Sequence, residues 1–120
     1  MASTPEGKIK RKLDKMLKEE GVWYYNPQAG PFGRSGIPDK VAIVSGRFVG
    51  MECKADKTKK PTALQIKCMK EIERAGGKCF LVYDDATIEE VRQYIHEQLD
   101  TRWVDLECCL LYTSDAADDV

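Results

Sequence analysis

Two acidic residues and a lysine interrupt an otherwise apolar stretch, residues 36–55, which reads GIPDKVAIVSGRFVGMECKA. Asp39 lies near its start, and Glu52 and Lys54 lie near its end. Carboxylate oxygens are the preferred ligands of Mg²⁺ and Mn²⁺, and a lysine beside them can act on water or on a developing negative charge. The alternative is that all three are solvent-facing charges at strand ends.

The apolar residues around these charges predict two β-strands joined at Ser45-Gly46, because glycine tolerates the positive φ that a two-residue turn requires. In that register Val44 pairs with Arg47, and the two acids lie directly opposite each other, with Cβ atoms about 4.5–5.5 Å apart. Alternation of side chains places Lys54 on the same face. Opposed like charges destabilise a strand pair, and a shared proton or a bound Mg²⁺ or Mn²⁺ would relieve the repulsion, the ion more effectively at neutral pH.

A helix must precede this hairpin, since Thr4-Pro5-Glu6 is a helix start with an N-cap and a proline at the first position. Apolar residues then recur at helical spacing until Gly21, at Ile9, Leu13, Met16 and Leu17. Residues 22–25 predict a short strand, and residues 26–36 a loop rich in glycine and proline.

After the hairpin, a second helix is predicted from Thr62 to Gly76-Gly77, and a strand over residues 79–83. The apolar spacing from Ile88 to Leu99 predicts a last helix. The order αβββαβα indicates an α/β domain, a small mixed sheet flanked by helices.

The composition indicates one globular domain, because the chain has 120 residues and is 42% hydrophobic. It contains no run of 18 apolar residues, so we expect no membrane association and a cytoplasmic protein. Reduced, packed thiols are expected instead of disulfides or a zinc site, because the five cysteines are odd in number and form no CxxC pair: Cys53, Cys68, Cys79, Cys108 and Cys109.

Charge is distributed unevenly along the chain, although the net charge is only −1. Residues 1–78 hold 17 Lys and Arg against 9 Asp and Glu, whereas residues 79–120 hold 2 against 11. A surplus of this size predicts a surface for a polyanion, with an ordinary solvated helix face as the alternative.

The C-terminal tail, residues 100–120, is set apart from the domain. Ten consecutive residues, CLLYTSDAAD at positions 109–118, agree with one reading frame of a transposase-type sequencing-library adaptor. We therefore expect about residues 109–120 to be translated adaptor and no part of the folded domain.

The pattern Pro38-Asp39 followed by Glu52-x-Lys54 resembles the PD-(D/E)xK nuclease superfamily, and more narrowly the stand-alone VRR-NUC domains of phage genomes. The segments PEGKIK, KKPTALQ and GGKCFLVYD extend this resemblance over residues 4–99. It implies a restriction-endonuclease-like core and a divalent-metal-dependent nuclease that hydrolyses phosphodiester bonds, in a bacterial or phage-infected host cell.

The resemblance also implies roles for individual residues. Asp39 and Glu52 would hold Mg²⁺ or Mn²⁺, with the backbone carbonyl of Cys53 as a further ligand. Lys54 would orient or deprotonate the attacking water, or stabilise charge in the transition state. Glu6 matches an acid of the family's first helix that often lies near the metal, which makes it a further catalytic and metal-binding candidate, but it is equally a favourable acid at a helix N-terminus. Gln65 matches a family glutamine, but Thr62-x-x-Gln65 is equally a capping box.

Contacts to nucleic acid are predicted in two loops. The glycine-rich loop before Asp39 offers backbone amides and an arginine to a phosphate backbone, and the basic loop after Lys54 could follow a strand. The alternative for each of the two loops is an ordinary solvated connection that binds no nucleic acid. The candidates in these loops are Arg34, Gly30, Gly33, Gly36, Lys57, Lys59 and Lys60. Tyr24 and Tyr25 are more typical of core packing than of base stacking, and His96 is expected at the surface.

The resemblance implies a structure-selective DNA endonuclease that acts on branched DNA, such as a Holliday junction, as a homodimer. A less selective nicking or flap nuclease would share the same chemistry. A non-cleaving nucleic-acid-binding module of the same fold, or a plain α/β interaction domain, are the alternatives from other classes.

Overall fold

The computed structural model describes residues 4–28 and 33–98, and within them the predicted order of elements is found. Gly30, Leu99, Cys108, Cys109 and the tail with its adaptor match lie outside the described residues. The elements are α1 (Pro5–Glu20), β1 (Trp23–Tyr25), β2 (Lys40–Val44), β3 (Arg47–Cys53), α2 (Ala63–Arg74), β4 (Lys78–Val82) and α3 (residues 85–98).

The four strands form one mixed sheet in the order β1-β2-β3-β4. The first two pairings are antiparallel and β3 pairs with β4 in parallel. The predicted hairpin register is confirmed, since Val44 lies opposite Arg47. Ser45 and Gly46 have φ values of 51° and 81°. Positive φ at both central residues is characteristic of a two-residue turn whose twist matches that of the flanking strands.

Helices cover both faces of the sheet. The main apolar core lies on the face under α1 and α3, and it includes the predicted residues of α1, from Ile9 to Leu17, together with Ile88, Val91 and Ile95. The other face meets α2, where Cys68 is buried and the Cys79 thiol approaches the Met69 carbonyl. Cys53, Cys68 and Cys79 are all free, as predicted for the cysteines that the structure describes.

The predicted boundaries shift slightly at three elements. Strand β1 begins at Trp23, one residue late, and β4 runs from Lys78 instead of 79 because Lys78 already pairs with Val49 of β3. Helix α2 ends at Arg74, before the glycines. The amide of Gly77 then returns to the carbonyl of Ile72, which closes the last turn of the helix.

A lysine for which no sequence pattern predicts burial lies on the core face of β2. Lys40 is 3% exposed, and its ammonium group donates to Asp14 Oδ1 at 2.7 Å and to Asn26 Oδ1 at 3.0 Å. The ion pair ties α1 to the sheet next to Asp39. In residues 4–28 and 33–98, no helix is long and apolar enough to cross a membrane.

Candidate functional site

The two predicted carboxylates lie together at one end of the β2–β3 hairpin. Continuing the register by one pair sets Asp39 opposite Glu52, although β2 itself begins at Lys40. The backbone amide of Cys53 donates to Asp39 Oδ2 at 2.8 Å, so the Asp39 side chain is held against the end of β3. The hairpin therefore brings the two acids together as predicted.

Glu52 is the more constrained of the two acids. Its side chain is 2% exposed on the face toward α2, and its Oε2 accepts from Gln65 Nε2 at 2.9 Å. Burial first, and then the negative charge of Asp39, raise the pKa of Glu52 to about 7, while Lys54 opposes the rise. Its other oxygen, Oε1, is buried and has no hydrogen-bond partner among the described residues.

Lys54 and Gln65 complete a connected polar group beside Glu52. Lys54 Nζ donates to Gln65 Oε1 at 3.0 Å and lies 3.7 Å from Glu52 Oε2. Gln65 also accepts from the backbone amide of Thr62 at 2.8 Å, and Thr62 caps α2 in return. The capping box is thus confirmed, and the same glutamine reaches the two motif residues, so the two interpretations of Gln65 are compatible.

Helix α1 contributes two further charged groups. Glu6 lies in its first turn, half-buried, and its charge adds to the rise in the pKa of Glu52. Lys10 Nζ lies 3.2 Å from Glu6 Oε2 and 3.5 Å from Asp39 Oδ1. Burial alone would lower the pKa of Lys10, but the charges of Asp39 and Glu6 outweigh it and raise the pKa.

Lys10 was missed in the sequence prediction. Its spacing from Glu6 is that of an ordinary i,i+4 ion pair on a helix surface, which gives no sign of a role in a site. Its contact with Asp39 depends on how α1 packs against the sheet, so no local sequence signal could have revealed it.

The donor set fits a small oxygen-ligated cation held with the help of water. Two carboxylates face each other, and Glu52 Oε1 is a buried acceptor without a donor, which either a proton shared with Asp39 or a bound cation would satisfy. Within residues 4–28 and 33–98, no three His, Cys, Asp or Glu side chains are grouped closely enough to hold a metal by themselves. Mg²⁺ usually keeps several waters and takes one or two carboxylates, so two suffice for it. The role of the Cys53 carbonyl stays a prediction.

The predicted contacts of the glycine-rich loop have other partners in the structure. Arg34 forms an ion pair with Glu71 of α2 at 3.0 Å. Gly36 has φ of 79°, and a Cβ there would lie 2.4 Å from the Leu64 carbonyl oxygen. The loop is therefore packed against the first turn of α2, which positions Gln65. Whether these residues also contact nucleic acid stays a prediction.

The loop lysines, Lys57, Lys59 and Lys60, lie exposed between β3 and α2. Their loop is ordered locally by Asp56, whose side chain accepts from the amide of Thr58 at 2.8 Å. The lysines thus present positive charge next to the motif residues, which is compatible with both the strand-tracking and the solvated interpretation.

The two tyrosines of β1 have different environments. Tyr24 packs against the core, as predicted, whereas Tyr25 is 51% exposed. Tyr25 lines a cleft of about 590 Å³ that extends past Arg34 and Gly36 to Asp39. The cleft thus connects an exposed aromatic ring to Asp39, and the prediction that both tyrosines pack in the core is wrong for Tyr25.

The side chains of His96, Cys53 and Cys79 take no part in the polar group around Glu52. His96 is exposed, as predicted, and pairs with Glu20 at 2.5 Å. Burial raises the pKa of Cys53 to about 12 and that of Cys79 to about 11, so both thiols stay protonated at neutral pH.

No protein-family model matches this chain, and no curated protein matches it.

Proposed function

We propose that this protein is a divalent-metal-dependent DNA endonuclease with a restriction-endonuclease-like core. The observation that carries the proposal is the state of Glu52. It is buried, it faces Asp39 across the hairpin, and one of its oxygens has no donor. A small divalent cation bound between the two carboxylates would offset their repulsion and would bind the oxygen that lacks a donor.

Asp39 and Glu52 would hold Mg²⁺ or Mn²⁺, and Glu6, whose charge already acts on Glu52, would add to the negative charge that the ion meets. The bound ion would supply a Lewis acid and a source of hydroxide near neutral pH. The amide of Cys53 fixes Asp39, and Gln65 fixes one oxygen of Glu52, so the acids are oriented before any ligand arrives. This arrangement limits the reorganisation that binding requires.

Lys54 would place its ammonium group at the reacting phosphate. Its hydrogen bond to Gln65 holds the side chain next to Glu52, so that it can orient a water molecule or stabilise charge on the non-bridging oxygens. The Gln65 contact also links the site to α2, whose first turn rests on the glycine-rich loop. DNA that presses on that loop would therefore act on the position of Lys54.

Charge and shape support a nucleic-acid substrate. Residues 1–78 carry a surplus of eight positive charges, and the exposed loop lysines adjoin Lys54. The cleft from Tyr25 to Asp39 is large enough for an unpaired nucleotide, and an exposed ring at its far end could stack on a base. These features favour branched or partly single-stranded DNA over a uniform duplex.

The test is an incubation of the full chain with end-labelled four-way junction, flap, single-stranded and duplex DNA, each in Mg²⁺, in Mn²⁺ and in EDTA. Glu52→Gln, purified in parallel, controls for contaminating nucleases. We expect cleavage of the branched substrates that EDTA and Glu52→Gln both abolish. Binding without cleavage in either metal would instead identify a non-cleaving module, and cleavage by Glu52→Gln at the wild-type rate would refute the site assignment.

A further inference from the structure

Lys10 reaches from α1 into the group of acids on the sheet. Its ammonium group lies between Glu6 Oε2 at 3.2 Å and Asp39 Oδ1 at 3.5 Å. The side chain of Lys10 is 37% exposed, and that of Asp39 is 26% exposed. One cation therefore contacts an acid from each of the two elements that meet at this end of the sheet.

The two other lysines near the acids, Lys54 and Lys40, have other partners. Lys54 donates to Gln65 and lies near the Oε2 side of Glu52, away from Asp39 Oδ1. The buried Lys40 faces the opposite side of the sheet and pairs with Asp14. Among the described residues, Lys10 is thus the cation that neutralises the Asp39 side of the site.

We propose that Lys10 is a resident counter-ion that neutralises Asp39 and Glu6 in the metal-free protein and that a divalent cation must displace from Asp39. The inference rests on the metal site of the proposed function. An ammonium group has three donors and no acceptor, so it cannot be a metal ligand, and the same Asp39 oxygen cannot serve both cations at full strength.

The Lys10 side chain is able to move away from Asp39 into solvent. It is partly exposed, and lysine carries a flexible four-carbon stem and a strongly hydrated head that can move into solvent. Its departure would also release Glu6, because the same ammonium group holds both acids. Loading of the site would then break the contact that Lys10 makes between α1 and Asp39, and the metal affinity would be lower than the two carboxylates alone could reach.

An ordinary surface ion pair would account for Glu6 and Lys10 but not for the contact with Asp39. An i,i+4 pair stabilises a helix by a few tenths of a kcal/mol and involves no residue outside it. Lys10 is the lysine that pairs with both acids, whereas Lys8, on the same helix, is exposed and forms no ion pair with either among the described residues. Lys8 is therefore the matched control, since its loss changes the net charge of α1 by the same amount.

The experiment compares wild type, Lys10→Met and Lys8→Met as full chains, by titration with Mn²⁺ followed by electron paramagnetic resonance of the free ion. We expect Lys10→Met to bind Mn²⁺ about fivefold or more tightly than wild type, which is the lower end of typical coupling between two ligands. Lys8→Met should bind as wild type does. An equal increase in both variants would reduce the effect to general charge and overturn the inference.

Thermal unfolding gives a readout that needs no catalysis. In EDTA, Lys10→Met should melt below wild type, because the acids lose their counter-ion, and saturating Mn²⁺ should remove that difference. Lys8→Met should melt as wild type does under both conditions. A Lys10→Met protein that melts as wild type does in EDTA would contradict the proposal.

The two hypotheses fail in distinguishable ways. If wild type cuts DNA with Mg²⁺ but Lys10→Met binds Mn²⁺ with unchanged or weaker affinity, the counter-ion inference is wrong and the proposed function stands. If wild type and Lys10→Met both fail to bind Mn²⁺ and wild type cuts no DNA, the proposed function is wrong and the inference falls with it.

Discussion

Replacing Glu52 with glutamine should stabilise the metal-free protein at alkaline pH. Glutamine keeps the shape of the side chain and removes its charge. Burial and the charge of Asp39 raise the pKa of Glu52 from 4.5 to about 7. Each pKa unit corresponds to about 1.4 kcal/mol, so the ionised carboxylate costs the fold up to about 3 kcal/mol at pH 8. Glu52→Gln avoids that cost.

The effect has a defined pH window. Below pH 4.5 the carboxyl is protonated in both the folded and the unfolded protein, and its ionisation has no effect on stability. As the pH rises from 4.5 to about 7, the unfolded chain ionises at Glu52 while the folded protein does not, so wild type loses stability. The loss levels off about one pH unit above 7, where the carboxyl of the folded protein is ionised as well. The advantage of Glu52→Gln should therefore grow from pH 5 to pH 8.

Urea unfolding in EDTA at pH 5 and at pH 8 measures this difference. The control is Glu90→Gln, which removes the same charge from an exposed position on α3. We expect Glu52→Gln to exceed wild type by up to about 3 kcal/mol at pH 8 and by much less at pH 5, while Glu90→Gln follows wild type. Excess Mg²⁺ should stabilise wild type and Glu90→Gln, which both keep the two carboxylates, but not Glu52→Gln. A gain of equal size at both pH values would refute the electrostatic reasoning.

Two further predictions concern the supports of the site. Gly36→Ala should lower the free energy of unfolding in urea by about 1–3 kcal/mol more than Gly46→Ala does. Both glycines have positive φ, but only Gly36 lies against the Leu64 backbone. Equal losses would show that α2 can shift to make room for the added methyl group. Replacing the loop lysines together with alanine should flatten the slope of log affinity against log salt by about 0.9 for each lysine that contacts a duplex phosphate. An unchanged slope would return them to the solvated interpretation.

Much of the hairpin could be predicted from the sequence because its geometry is local. Ser45-Gly46 fixes the turn, the turn fixes the register, and the register brings Asp39 to Glu52. The N-terminal caps of α1 and α2 depend on residues within one turn of each helix, so they too were predictable. The nuclease function itself stays a prediction.

Features that depend on packing between distant elements could not be predicted. Lys40 looks like an exposed strand residue until Asp14 and Asn26 are brought to it. The contact of Lys10 with Asp39 needs the angle at which α1 crosses the sheet. Tyr25 is exposed because α2 covers only part of its face of the sheet, a property of helix length and placement that no local pattern records.

The claim that Asp39 and Glu52 together hold a divalent cation is tested most directly by anomalous diffraction from crystals of the full chain grown with Mn²⁺. We predict one anomalous peak in contact with Glu52 Oε1 and an oxygen of Asp39, with Lys10 turned away from Asp39, and no such peak in Glu52→Gln crystals. Ordered Mn²⁺ at other positions only, with Glu52 Oε1 still unligated, would contradict the account.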